Sequence, residues 1–152
     1  MSDHTNLDEV RQYIRQSIFG VLSYVREDLA PIARSIGSFA IDGDDLFFST
    51  AKNAAKVREI ALHPRVSFHF EHEGQSLENW KNVLLVGDAE LTSPGSAEHE
   101  LAVGLLSAKS PRFRDRVERG EVGAIAIFRV RVHEFQYLDV TKGYVPARID
   151  LA

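Results

Sequence analysis

Apolar and polar positions along this chain change period several times, and each change marks the start of a new element. From Leu7 to Gln16, Leu7, Val10 and Ile14 recur at helical spacing with Asp8 and Glu9 in the first turn, which predicts a short amphipathic helix. Ile18 to Val25 is apolar, β-branched and aromatic, the composition of a strand, and Arg26-Glu27-Asp28 breaks it as a turn. Pro31 to Ile41 resumes as a second strand. Asp42-Gly43-Asp44-Asp45 then predicts a tight hairpin into a third strand over Leu46 to Ser49, because an Asp-Gly pair tolerates positive φ.

A helix is expected from Asn53 to Leu62, with Ala54, Val57, Ile60 and Ala61 as its apolar stripe and His63-Pro64 as its end. Val66, Phe68 and Phe70 alternate with Ser67, His69 and Glu71, the signature of a half-buried strand. Val83 to Leu91 reads as a further strand whose Gly87 marks a bulge or a close backbone approach. Ser96 to Arg119 reads as two helices broken at Ser110-Pro111, and Ala124 to Leu138 as the last long strand before an irregular tail with Gly143 and Pro146. The fold class is therefore mainly β, about six strands joined largely by hairpins, with peripheral helices. A closed or nearly closed antiparallel barrel protects such edges better than a doubly wound parallel sheet. No repeat or linker interrupts the pattern, so one domain is expected over residues 1–152.

Composition narrows the function classes. A net charge of −4 argues against nucleic acid as a partner, since phosphate contacts need a positive surface. The absence of cysteine removes disulfides, thiolate metal sites and cysteine nucleophiles together. Met1 to Asn6 are polar and no apolar run approaches the roughly 20 residues that span a bilayer, so a cytoplasmic protein without a membrane partner is expected. His69 and His72 stand three apart on a strand and point to opposite faces, so no metal site is expected there. His99, between Glu98 and Glu100, is read as a solvated residue on a polar helix face. Walker, dinucleotide and nucleophile-elbow motifs are missing.

The most informative segment runs from Leu46 to Lys56, where a strand stops at Thr50 and a helix starts within a few residues. Lys52 and Lys56 flank the positive end of that helix, a placement that costs a few tenths of a kcal/mol up to ~1 unless an anion binds there. Backbone N–H groups, the dipole and both ammonium groups would converge on a phosphate. Arg34, mid-strand between Ile32 and Ile36 on one face, needs a partner or an exposed edge, and a bidentate phosphate contact suits it. Gly37 would let a flat ring approach the strand.

In order and spacing, this run resembles the pyridoxamine-5′-phosphate oxidase family of flavin-binding split barrels: Arg34, the Asp42-Gly43 hairpin, Phe48-Ser49-Thr50, Lys56, and His63-Pro64-Arg65-Val66. A second block, Asn82 to Glu90, is similar to the family's strand ending Gly-x-Ala. The resemblance implies a six-stranded antiparallel split barrel that binds flavin mononucleotide (FMN). It further implies a homodimer with the cofactor where two barrels meet, and a flavin-dependent oxidoreductase. A non-catalytic flavin carrier or sensor, and a barrel holding haem or a deazaflavin, are the alternatives. By position, Arg34 and Lys56 would hold the flavin phosphate, with Thr50, Asn53 and Lys52 nearby. Ser35, Ile36 and Gly37, with Ser49, would line the ring, and Asn82 would reach its polar edge. Trp80 and Phe39 would supply apolar surface against the second chain. The sequence departs from the family at Ala55 and Phe39, where basic residues are usual, and at Val140 to Arg148, which has no counterpart to the oxidases' Arg-x-His-Asp-Arg-like substrate segment.

Overall fold

Alternation of apolar and polar side chains decides which face of each strand turns inward. In β5 (Arg65–Phe70) Val66, Phe68 and Phe70 are buried while Arg65, Ser67 and His69 are not. The same period runs through β1 (Gly20–Val25) and β6 (Lys81–Leu91). The computed structural model describes residues 3–151, so Met1 and Ser2 of the polar opening segment and the final Ala152 lie outside the described residues. The other elements, in chain order, are α1 (Asp3–Arg15), β2 (Pro31–Ile36), β3 (Phe39–Asp42), β4 (Asp45–Ala51), α2 (Ala55–Leu62), α3 (Ala97–Lys109), α4 (Pro111–Glu118), β7 (Ile125–Asp139) and β8 (Ala147–Asp150). No helix among the described residues is long and apolar enough to cross a membrane.

All strand pairs are antiparallel, in the order β2-β1-β5-β6-β7-β4-β3 with β8 added to β7. The two end strands of this path, β2 and β3, follow each other in the chain across Gly37-Ser38. The sheet thus curls until its ends share a covalent corner, a split barrel closed by the chain rather than by a last ladder. Strand β7 holds the other side. It pairs with β6 along one edge, while its second edge takes β4 as far as Arg131 and β8 from Glu134.

Two apolar clusters follow. The barrel interior holds Leu22, Phe39, Leu46, Phe48, Phe68, Phe70 and Phe135, among others, and is plugged by Val10 and Ile14 of α1. A second cluster joins Ala40, Phe47, Ile125 and Ile127, on the outer face, to Ala102, Leu106 and Phe113 of α3 and α4. Strands β3 and β4 are therefore apolar on both faces, and Phe39, expected to face a second chain, is instead 1% exposed within the barrel core.

The split barrel is as expected, but the described residues contain eight strands rather than six. The second predicted strand is two strands, because its residues change ladder partner at Gly37-Ser38 and the backbone must turn there. Strand β8 has four residues and one large apolar side chain, too little period to read, and is held by its backbone ladder to β7. The hairpin at Gly43-Asp44 carries φ +59° at its first central residue, the position a two-residue hairpin turn of the II′ type gives to glycine. Gly87 sits at the one register shift of the β6–β7 ladder, where an added Cβ would stand 2.4 Å from the Arg131 carbonyl oxygen.

Gly87→Ala must push two backbones apart and is expected to lower stability by about 1–3 kcal/mol. Gly104, inside α3, is the control: a Cβ there would meet nothing within 4 Å, and Gly104→Ala is expected to add about 0.5–1 kcal/mol. Urea midpoints at equal slope measure both, and a neutral Gly87→Ala would show that the bulge relaxes freely.

Candidate functional site

Strand β4 ends at Ala51, the chain turns through Lys52-Asn53-Ala54, and α2 begins. Its N-cap is Ala54, which has no side chain able to cap, and its first turn holds no acidic residue. The Ala55 and Lys56 N–H groups therefore keep their unsatisfied partial charge, while Val57 N–H donates to the Ala54 carbonyl at 3.1 Å. Lys56, in that first turn, donates from Nζ to Thr50 Oγ1 at 2.9 Å. Burial, and after it the Arg34 guanidinium, hold the Lys56 ammonium below the usual lysine range. Two cations thus stand near each other on β2 and α2. The arginines around them are paired, Arg26 with Asp28 at 2.7 Å and Arg58 with Glu27 at 3.8 Å. Among the described residues Arg34 and Lys56 form no ion pair. Buried Glu59 lines the same cavity of about 370 Å³ without reaching either.

Arg34 reaches this position through the register of β2. It lies opposite Leu22, on the inward face, yet β2 is an end strand, so the side chain emerges at the slit and is exposed. Lys56 also lines an adjoining cavity of about 390 Å³. Its walls are Ser35 to Ser38 at the β2–β3 corner, Ser49 to Ala51 of β4, and Ser110, Arg112, Phe113 and Arg116 of α4. The corner is pinned by Ser49 N–H donating to the Ser38 carbonyl at 3.0 Å and by a short Ser49–Ser38 hydroxyl contact. A Cβ on Gly37 would meet nothing within 4 Å, so bare backbone faces open space there.

The structure thus brings together Arg34, Ser35, Ile36, Gly37, Ser49, Thr50 and Lys56. It does not bring Lys52, Asn53 or Asn82 to them. Lys52 N–H bonds to the Ala124 carbonyl at 2.9 Å, which holds the turn against the start of β7. Lys52 and Asn53 open onto a groove of about 780 Å³ with Glu90 and Leu91, on the other side of α2. Asn82 lies in β6, three strands from β2 along the sheet, and donates to Glu71 Oε1 at 3.3 Å beside Trp80 Nε1 at 2.7 Å. Sequence reading missed Ser38, Arg112 and Arg116. The two arginines are spaced one helical turn apart in Pro111–Glu118, a periodicity that was visible, although nothing in it told which face would meet the slit.

The profile of the family described as Pyridoxamine 5'-phosphate oxidase matches residues 7–139, from within α1 to the end of β7. Similar solved structures include a heme binding protein from Mycobacterium smegmatis, with TM-score 0.77 and 16% identity over 95% of this chain and 57% of that one. A FAD-binding protein from Mesorhizobium loti has TM-score 0.69 and 20% identity over 92% of this chain and 96% of the other. General Stress Protein 26 from Bacillus anthracis has TM-score 0.67 and 18% identity over 96% and 98%. Likeness at this level of identity carries the fold alone. No curated protein matches the sequence.

One further cation, at the end of α3, is buried instead of lining the cavity. Lys109 precedes Ser110 and lays its Nζ 3.3 Å from the centroid of the Phe39 ring, without a hydrogen-bond partner. Burial pulls its pKa down to about 8, from the ordinary 10.5. Between those two values the unfolded chain binds more protons than the native one, so stability rises with pH across that window. Lys109→Met is therefore expected to be more stable than the parent at about pH 7, with the gap closing at about pH 9.5 as the native amine loses its charge. Urea midpoints of both proteins at the two pH values measure it, and a gap independent of pH would mean that the ammonium is not strained by burial.

Proposed function

This chain belongs to the pyridoxamine 5′-phosphate oxidase family, and from that premise we propose that it binds FMN, with the phosphate held by Arg34, Lys56 and Thr50. The carrying observation is the pair of cations without ion-pair partners at the uncapped start of α2, beside a cavity whose β2–β3 wall is bare backbone at Gly37. The donor set suits a phosphate dianion: a guanidinium fork, an ammonium steadied by a hydroxyl, and free helix N–H groups. An anion there also offsets the burial, and after it the Arg34 repulsion, that together depress the Lys56 pKa. Ser35 to Gly37 and Ser49 supply small, polar walls for a flat ring. The residues lining that cavity include no histidine, cysteine, methionine or tyrosine to ligate a haem iron, which favours a flavin.

When bound, the flavin supplies hydride or electron transfer. The chain's own residues bind and orient it, and Arg112, beside Arg116 with its Glu121 partner at 3.5 Å, places a further cation where an anionic substrate would enter. We read the protein as an FMN-dependent oxidoreductase. The segment after Asp139 forms a turn and β8 and contains no histidine, which argues for a substrate other than pyridoxamine phosphate. Asn82, remote from Arg34 in its own chain, fits a site completed by a second copy in a two-fold dimer, with exposed Ile18 and Leu77 available as apolar surface.

Arg34→Ala and Lys56→Ala are each expected to weaken FMN binding by about 1.5–3 kcal/mol while leaving riboflavin affinity and the circular dichroism spectrum unchanged. Fluorescence titration with both ligands decides it. Unchanged FMN affinity in both variants would displace the phosphate from this position. If two chains build the site, added FMN must also tighten the dimer by linkage. Sedimentation at several protein concentrations, with and without FMN, is expected to show that shift, and a monomer that holds FMN tightly would overturn the shared site.

A further inference from the structure

Helices α3 and α4 enclose a second cavity against β7, of about 410 Å³, away from Arg34 and Lys56. Val103 of α3, Val117 of α4 and Ile125 and Ile127 of β7 make its walls apolar. One buried titratable side chain lines it. His99, read from the sequence as solvated, is 6% exposed, because the face of α3 that carries Ala102 and Leu106 turns it onto the barrel.

The hydrogen bonds of His99 define what its ring offers. Thr92, itself buried, donates both its N–H, at 2.9 Å, and its hydroxyl, at 2.8 Å, to the Ile127 carbonyl. A hydroxyl has one proton, so Thr92 Oγ1 meets His99 Nδ1, 2.8 Å away, as an acceptor. Nδ1 therefore carries the hydrogen, and in the neutral ring Nε2 carries a lone pair. Nε2 has no partner among the described residues, on a ring that is nine-tenths buried and lines the cavity. The ring is buried but Nε2 itself is still reachable from the cavity, so a donor arriving there would take the place of solvent on it.

We propose that this cavity is a second ligand site that takes a small aromatic alcohol, its ring against Val103, Val117 and Ile127 and its hydroxyl donating to His99 Nε2. Lys52 and Glu100 also line the cavity, one charge of each sign, so they favour no net charge on the ligand, and the buried His99 ring among the apolar walls selects for one donor group. The site is independent of the flavin reading, since it shares no residue with the cavity that holds Lys56.

The test uses 4-fluorophenol and fluorobenzene, a pair that differs in the hydroxyl, titrated into the full chain and followed by fluorine NMR. Saturable binding of 4-fluorophenol is expected, about tenfold tighter than that of fluorobenzene. His99→Phe is expected to erase that preference. Val103→Phe, which fills the cavity one helical turn from His99 and keeps the His99–Thr92 residues themselves, is expected to abolish binding of both. Nitrogen-15 shifts of the His99 ring give a readout that needs no variant, and must show Nδ1 protonated and Nε2 bare in the neutral form. Equal affinity for the two probes, binding that survives Val103→Phe, or an Nε2-protonated ring would each overturn the proposal.

Discussion

Between Ile36 and Phe39 one stretch of backbone changes partners, from β1 at one end of the sheet to β4 at the other, and the rest of the molecule depends on that exchange. A twisted sheet of this length must curl, and closing it through a covalent corner protects two edges that would otherwise be open to pairing. The corner cannot satisfy both ladders at once. Ser38 and Ser49 bridge part of the gap through backbone and hydroxyls, and the backbone from Ser35 to Gly37 is left facing a cavity. The candidate site is therefore a by-product of how the barrel closes, placed where hydrogen-bonding capacity remains unspent.

Charge is distributed to match. The chain is acidic overall, and most of its arginines are spent on exposed carboxylates: Arg26 on Asp28, Arg65 on Asp88, Arg148 on Asp150. Such exposed pairs contribute roughly 0–1 kcal/mol each, so they matter less for stability than for cancelling charge. Around the slit the cancellation is incomplete, with Arg116 paired to Glu121 at 3.5 Å and Arg26 to Asp28 at 2.7 Å. Arg34, Lys56 and Arg112 have no carboxylate within ion-pair distance among the described residues, so an acidic protein presents a locally positive opening. Where cations are held together against their mutual repulsion and partial burial, as at Lys56, the missing term is an anion.

Much of this architecture is legible in the order of residues alone. Period-two alternation in β5, the hairpin at Gly43, the bulge at Gly87 and the Ser110-Pro111 break between helices are local signals, and each stands in the structure. The phosphate-like cluster is half legible: Lys56 from its place in the helix, Arg34 from its apolar neighbours. Features set by long-range pairing are not. Nothing near Gly37 says that the strand must change partners there, and β8 has almost no apolar period of its own. Lys52 and Lys56 are four residues apart and read alike, yet the bond from Lys52 N–H to Ala124 sends one to each side of α2. His99 misleads because its flanking glutamates make its face look polar, whereas a helix buries single positions, not stretches.

The helical pair explains why cavities occur in two places. Ala40, Phe47, Ile125 and Ile127 make the outer face of β3, β4 and β7 apolar, so that face must be covered, and α3 with α4 is the cover. Two short helices meeting at Ser110 cannot follow a twisted sheet along its whole width. Contact is made through Ala102, Leu106 and Phe113 in the middle, and space is left along the seams on either side. At one seam the helices present Ser110, Arg112 and Arg116 toward the barrel corner, and at the other Val103, Val117 and His99 toward β7. The same packing constraint thus yields a polar, cationic cavity and a largely apolar one with a buried histidine in its wall. Which chemistry each can host follows from both layers at its seam, since Ser35, Ser38, Ser49 and Thr50 line the first from the barrel side, whereas Ile125 and Ile127 line the second.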